Sequence, residues 1–366
     1  MPHAQFHCRH LIKPDGRDLW LYSRRPIPST LIPTSPHADP LQAHPHLRWH
    51  PLRGEWVAYA SHRQNRTHLP PSEQDPFAIT TDPDHPTELP AGDYEIAVFQ
   101  NRFPSLSLQA SQAPKEIVPC VPGRGSCEVV VFTQDPHQAL STLSVEHLTL
   151  LLQVWADRTQ ALGQRDSIQY VLPFENKGME MGVTLHHPHG QIYAYSVLPP
   201  IPQQMLDQQR SFFRQQQRSL LVELLEQEII HRQRLLYLDA NAVAIVPVCA
   251  RYPYEVWVAP RQPCAFLADL SAPQRRSLAL ALKTVLLKYD GLWSRPFPYL
   301  MAWFQAPTDG APHPEWQLHA EFYPPYRSAD KLKYLAGTEL AAGLYANDTL
   351  PEAIAQELQA VSISLE

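Results

Sequence analysis

EVVVFTQDPHQALSTLS at 128–144 and EVWVAPRQPCAFLADLS at 255–271 align without a gap at a constant offset of 127 residues, and seven of the 17 positions are identical. Such self-similarity raises the question of an internal repeat before any other. The match extends outward in both directions. Upstream of each copy an apolar run ends in arginine-aromatic-proline, VFQNRFP (98–104) and VPVCARYP (246–253). Downstream of each lies a helical pattern, SVEHLTLLLQVWADRTQALG from Ser144 and SAPQRRSLALALKTVLLKYD from Ser271, the second with Gln274 placed for a capping box. A short strand-like run follows in each copy, IQYVLPFENKG and PYLMAWFQAP, and then a histidine strand that ends in Pro-Pro, LHHPHGQIYAYSVLPP and WQLHAEFYPP. Each half thus reads strand, strand, helix, strand, strand in the same order. The expected fold is α+β and internally duplicated, with mostly antiparallel sheets and flanking helices. His189 and His319 fall at equivalent places.

Composition bounds the class. The 366 residues carry a net charge of -6 and no basic block, which argues against a nucleic-acid partner. No run of 18 or more apolar residues is present, so no membrane span is expected. The N-terminal stretch MPHAQFHCRHLIKPDGRD lacks an apolar signal-peptide core. Five cysteines at 8, 120, 127, 249 and 264 form no Cys-x-x-Cys pair and suit reduced thiols, so the expected location is cytoplasmic. The 38 prolines cluster in loop-like stretches such as RRPIPSTLIPTSPHADP. The expected organisation is a proline-rich arm over 1–45, a first domain over 46–200 that holds the nucleophile, and a second over 201–366. The helical stretch 203–232 links the halves.

The tripeptide HPH occurs at 44–46 and again at 187–189. The first copy lies outside the repeat, ahead of the hairpin-like LRWHPLRGEWVAYA, and reads as a loop. The second is followed by Gly190 and Gln191 and a β-rich run. Pro188 fixes the backbone between His187 and His189. A neutral imidazole is a competent nucleophile toward phosphorus, provided that its other nitrogen keeps a proton and donates it to an acceptor such as a main-chain carbonyl. Just upstream, FENKGMEMGVTL supplies donors and small residues of the kind that surround a phosphate.

FENKG followed by Gly182 and HPHGQIYAYS resembles the galactose-1-phosphate uridylyltransferases, the transferase branch of the histidine-triad superfamily. HPLRGEWVAYASHRQNR, VFQNRFPSL, WQLHAEFYPP and LKYLAGTEL agree with it in the family's order, over roughly 46–345. The resemblance implies two histidine-triad-like halves and a nucleotidyltransferase. His189 would attack the α-phosphorus of UDP-glucose, and galactose 1-phosphate would then take the uridylyl group. His187 would orient the nucleophile through its main-chain carbonyl. Gln191 stands where the hydrolase branch has a third histidine, and an amide holds a phosphoryl oxygen without acting as acid or base. By motif, Arg63 and Arg66 would lie near the nucleotide or its phosphates, and Asn101 and Phe103 near the uridine. Asn176, Gly182 and Thr184 would contact phosphates. Lys333 and Glu339 would serve the sugar phosphate, across a homodimer interface.

The chain departs from the family at its metals. Pro76 and Ile79 stand at the zinc-binding cysteine positions and Pro136 at a histidine position, with His137 adjacent; of that set His187 survives. Of the second metal site His319 remains, whereas Phe304, Glu321 and a position near Met205 replace the other ligands. A tetrahedral zinc site needs four ligands, so no bound metal and no cofactor is expected. Two other readings are an adenylyl-specific sugar-nucleotide phosphorylase on the same scaffold and a catalytically inactive nucleotide-binding homologue.

Overall fold

Val129 and Val131 bury in one apolar cluster while Val130 and Phe132 bury in another, and Ala97 and Phe99 alternate in the same way with Ile96 and Val98. A period of two with both faces buried defines strands in the middle of a covered sheet. A computed structural model describes residues 6–65, 71 and 74–365. In chain order the first half contains β1 (His7–Ile12), β2 (Asp18–Ser23), β3 (His46–His50), β4 (Glu55–Tyr59), β5 (Ile96–Gln100), β6 (Cys120–Pro122), β7 (Gly125–Val131), α1 (Val145–Gly163), β8 (Tyr170–Lys177) and β9 (His189–Tyr195). The second contains α2 (Pro200–Gln216), α3 (Leu220–His231), β10 (Leu235–Leu238), β11 (Ala242–Ile245), β12 (Val256–Pro260), α4 (Ala272–Leu292), β13 (Tyr299–Phe304), β14 (His319–Tyr323) and α5 (Pro351–Ala360).

Eleven strands form one sheet in the order β1-β2-β5-β7-β9-β8-β13-β14-β12-β11-β10. The two halves meet where β8 pairs antiparallel with β13, Glu175 opposite Met301. Outward from that seam the repeat is symmetric, β9 and β7 on one side and β14 and β12 on the other. The expected duplicated α+β architecture is therefore observed, joined into one continuous sheet.

α1 and α4 begin as the sequence predicts. Ser144 accepts from the His147 N–H, and Ser271 and Gln274 complete a capping box. Both helices lie on the same face of the sheet. Leu148, Leu151 and Trp155 share a core with Leu278, Leu282 and Tyr289. The opposite face is covered by α2, whose Leu206 packs with Phe304, and by α3, whose Leu221 and Leu225 pack on Val243 and Ile245. A small sheet ordered β4-β3-β6 stands apart from the large one.

Three local expectations change. Residues 7–23 of the expected arm are a hairpin that adds two strands to the large sheet, with Leu19 opposite Phe99. The stretch 203–232 breaks into α2 and α3 because Gln217 takes a left-handed conformation (φ 55°) and Ser219 starts a new helix. His46 of the first HPH copy opens β3, its ring stacked on Tyr59, rather than standing in a loop. All five cysteines are free thiols.

Candidate active site

β9 places His189, Gln191 and Tyr193 on one face of the sheet and Gly190, Ile192 and Ala194 on the other, toward α1. Gly190 sits tightly between neighbours. A Cβ there would meet the Phe174 carbonyl oxygen at 2.8 Å and the Phe132 ring at 2.7 Å. The chain reaches His189 from β8 by a sharp detour. Gly178 (φ 93°) and Gly182 (φ 73°) flank a short 3-10 turn, and only glycine takes such angles without strain. This detour carries Gly182 and Thr184 past the imidazole, and Asn176 lies at the end of β8 just before it.

The ring of His189 is fixed by its own neighbour. Its Nδ1–H donates to the main-chain carbonyl of His187 at 2.7 Å. Phe77 packs edge-on against it, centroids 5.1 Å apart. Burial lowers the His189 pKa, the hydrogen bond to the His187 carbonyl opposes, the charge on His187 lowers it further, and the balance lies below the ordinary histidine value. The ring is therefore neutral at pH 7, with Nε2 free to attack.

Two cavities share this ring. One of about 290 Å³ is lined by Phe77, Phe99, Asn101, Phe103 and Val129 besides His189. The other, about 170 Å³, is lined by Phe174, Asn176, Gly182, Thr184 and Tyr193 besides His189. Arg63, Thr184 and Gln191 border both. The larger offers aromatic faces and the side-chain amides of Gln74, Asn101 and Gln191, as a nucleoside requires; the smaller is rich in small and polar groups. Arg63 is anchored by donating to the Phe103 carbonyl at 2.6 Å. Asn101 holds its turn by accepting from the Phe103 N–H at 2.8 Å. The side-chain oxygen of Asn176 is buried without a hydrogen-bond partner, a group that a ligand would satisfy.

Of the predicted site residues, His187, His189, Gln191, Arg63, Asn101, Phe103, Asn176, Gly182 and Thr184 are thus brought together, His187 from behind the nucleophile. Arg66 lies outside the described residues. Lys333 and Glu339 are elsewhere. They pair with each other at 3.3 Å, Lys333 also donates to the Ala346 carbonyl, and Glu339 accepts from the N–H groups of Ala336 and Ala346. Neither lines either cavity. Sequence reasoning missed Phe77, Tyr193 and above all Asp75, whose Oδ2 lies 2.6 Å from Nδ1 of His187.

The residues at the family's metal positions do not fit a metal. Pro76, Ile79 and Pro136 offer no ligand side chain, and His137 is exposed. In the second half His319 repeats the geometry of His189, its Nδ1–H donating to the Gln317 carbonyl at 2.9 Å. There Phe304 stacks on the ring with centroids 5.4 Å apart, and Met205 packs in the same apolar cluster. Among the described residues no group of three or more His, Cys, Asp or Glu side chains is gathered to hold a metal ion. Glu321 occupies the place equivalent to Gln191. Burial raises its pKa, but the bond to His319 and the Arg251 charge leave it below the ordinary carboxylate value. An anionic group there repels phosphate, so this half keeps the shape without the chemistry.

Comparison with known proteins finds one family in both halves. Residues 37–199 match a family model described as galactose-1-phosphate uridyl transferase, N-terminal domain, and residues 205–365 match the corresponding C-terminal domain. A galactose-1-phosphate uridylyltransferase of Thermotoga maritima is 35% identical over 324 residues, 87% of this chain and 99% of the relative. That of Rattus norvegicus is 32% identical, over 86% of this chain and 87% of the relative. A solved uridylyltransferase structure superposes with a TM-score of 0.77 at 31% identity, covering 86% of this chain and 98% of the other. An ADP-glucose phosphorylase from Arabidopsis thaliana, with a TM-score of 0.66 at 24% identity over 87% of this chain and all of its own, shares the fold.

Proposed function

The chain belongs to the galactose-1-phosphate uridyl transferase family, and on that premise we propose that it carries UMP from UDP-glucose to galactose 1-phosphate through a covalent intermediate on His189. The observation that carries this reading is the 2.7 Å bond from Nδ1–H of His189 to the His187 carbonyl. It fixes one tautomer and leaves Nε2 as the free nitrogen of a ring that borders both cavities. In the first step Nε2 bonds to the α-phosphorus. The bridging P–O bond breaks and its electron pair leaves with glucose 1-phosphate. As the ring gains positive charge, its hydrogen bond to the carbonyl strengthens. In the second step a phosphate oxygen of galactose 1-phosphate attacks the same phosphorus, the P–N bond breaks, and the imidazole returns to its neutral form.

The larger cavity suits the uridine, with Asn101 and Phe103 on its wall, and the smaller suits the sugar phosphates, with Asn176, Gly182 and Thr184 around them. Arg63 and Gln191 border both and would hold the transferred phosphoryl group. An amide at Gln191 activates no water, which favours transfer over hydrolysis. The same reading makes the protein a cytoplasmic homodimer. Lys333 and Glu339 stand away from His189 within one chain, and a second copy would bring them to the sugar phosphate.

Incubation with uridine-labelled UDP-glucose should leave one label on His189, released by galactose 1-phosphate. The His189→Ala variant should take no label and melt within a degree or two of wild type. Equal transfer by that variant, or faster labelling from ADP-glucose than from UDP-glucose, overturns the reading.

A further inference from the structure

The ring of His187 is fully buried. Its Nδ1 lies 2.6 Å from Asp75 Oδ2 and its Nε2 2.8 Å from the Thr133 carbonyl oxygen. A carbonyl only accepts, so Nε2 carries a hydrogen. Asp75 Oδ1 accepts from the Phe77 N–H at 2.9 Å, and of the two groups that share the 2.6 Å contact imidazole is ordinarily the stronger base, so Nδ1 keeps the hydrogen and donates to Oδ2. Both ring nitrogens are therefore spent as donors, and neither keeps the lone pair that a metal takes from imidazole. At the same residue the main-chain carbonyl accepts from the nucleophile. Asp75 thus reaches His189 along two short routes, through the ring and carbonyl of His187 and through Phe77, whose edge packs on His189.

We propose that Asp75 takes the place of the metal that the family resemblance implies at His187. It is a positioning residue that clamps His187 by a charge-assisted hydrogen bond, so that the His187 carbonyl holds His189 with Nδ1 protonated and Nε2 bare. The role in catalysis rests on the reading of His189 as the nucleophile. The clamp itself rests on the contacts of His187. Its chemistry is that of the carboxylate-imidazole pairs that orient a metal-bound histidine, here with a carbonyl in place of the metal. A short charge-assisted bond is directional, so it fixes the ring plane and with it the backbone of the His187-Pro188-His189 corner. The asparagine variant keeps the shape but loses the charge, and the alignment with it.

The test uses the full chain. The Asp75→Asn protein should form the covalent adduct on His189 roughly 10- to 100-fold more slowly than wild type, with the dissociation constant for UDP-glucose unchanged. Asp75→Glu should recover part of the rate, and added zinc should recover none in either variant. Chelator-washed wild type should keep its rate and hold substoichiometric zinc. Histidine-¹⁵N spectra of wild type at neutral pH should show both ring nitrogens of His187 protonated, a readout that stands even where a variant does not fold. Three results would each overturn the clamp: an unchanged adduct rate in Asp75→Asn, stoichiometric zinc needed for activity, or a His187 ring nitrogen without its proton. Failure of wild type to accept label from UDP-glucose refutes the functional reading instead, while the spectra and zinc content still judge the clamp.

Discussion

Asn176 keeps a buried side-chain oxygen with no partner at the edge of the smaller cavity. An unsatisfied buried polar atom costs about 1–3 kcal/mol in the free protein. That cost is recovered when a sugar hydroxyl of the ligand donates a hydrogen bond to this oxygen. Stability and activity therefore respond in opposite directions. Asn176→Ala should melt no lower than wild type, while adduct formation from bound UDP-glucose slows by about 10-fold, the worth of one hydrogen bond from the ligand. Thermal unfolding beside single-turnover labelling checks it. A variant that melts several degrees lower and labels normally would make Asn176 a structural residue. Asn176 was legible in the sequence because it lies 13 residues before His189, and so were His187 and Gln191. Asp75 was not. It stands 112 residues from His187, and in DPFAI the positions that drew notice were those of the missing cysteines. The Thr133 contact was unreadable in principle, because a main-chain carbonyl has no residue type.

The β1–β2 hairpin shows the same limit one scale up. Its strands alternate, but proline-rich flanks made the segment read as an arm, and its pairing with β5 is settled by residues some 80 positions away. The hairpin precedes residue 37, where the family match begins, yet its turn supports the larger cavity beside His189. Arg17, fully buried, pairs with Asp15 at 2.7 Å and Glu88 at 2.7 Å, and donates to the Gln100 carbonyl at 2.9 Å, one residue before Asn101. Lys13 shares Glu88 at 2.5 Å. Arg17→Met leaves two carboxylates buried, Glu88 with Lys13 and Asp15 with only the more distant Arg102, 3.9 Å away. Breaking a buried ion pair from one side costs about 3–5 kcal/mol, so denaturant midpoints should fall by a corresponding amount. Binding of UDP-glucose should weaken as well, because the Gln100 carbonyl loses its donor. Loss of stability with unchanged UDP-glucose affinity would detach the hairpin from the site. By contrast, α1, α4 and the strands beside them were readable, because N-caps and short-period patterns are local.

At the scale of the molecule, the repeated halves share one sheet and one core, in which α1 and α4 pack on the same face. The bond from Tyr299 Oη–H of β13 to Glu175 Oε2 of β8, 2.8 Å long, crosses their seam. Burial pushes the Glu175 carboxyl up to about 7, against the Tyr299 hydrogen bond and the Lys177 charge. The folded protein therefore keeps a proton that the unfolded chain, titrating near the ordinary value of 4.5, has released. Folding is favoured below that value, and the advantage is lost as pH rises from about 4.5 to 7. Glutamine at this position accepts the same hydrogen bond and never ionises. Glu175→Gln should accordingly match wild type near pH 4.5 and exceed it above pH 7 by on the order of 2–3 kcal/mol. Because the group lies on the seam of a shared core, calorimetry should show one transition that moves as a whole. Two transitions, with one alone shifted by the substitution, would mean that the halves fold as independent units and that the seam is a docking surface rather than part of a common core.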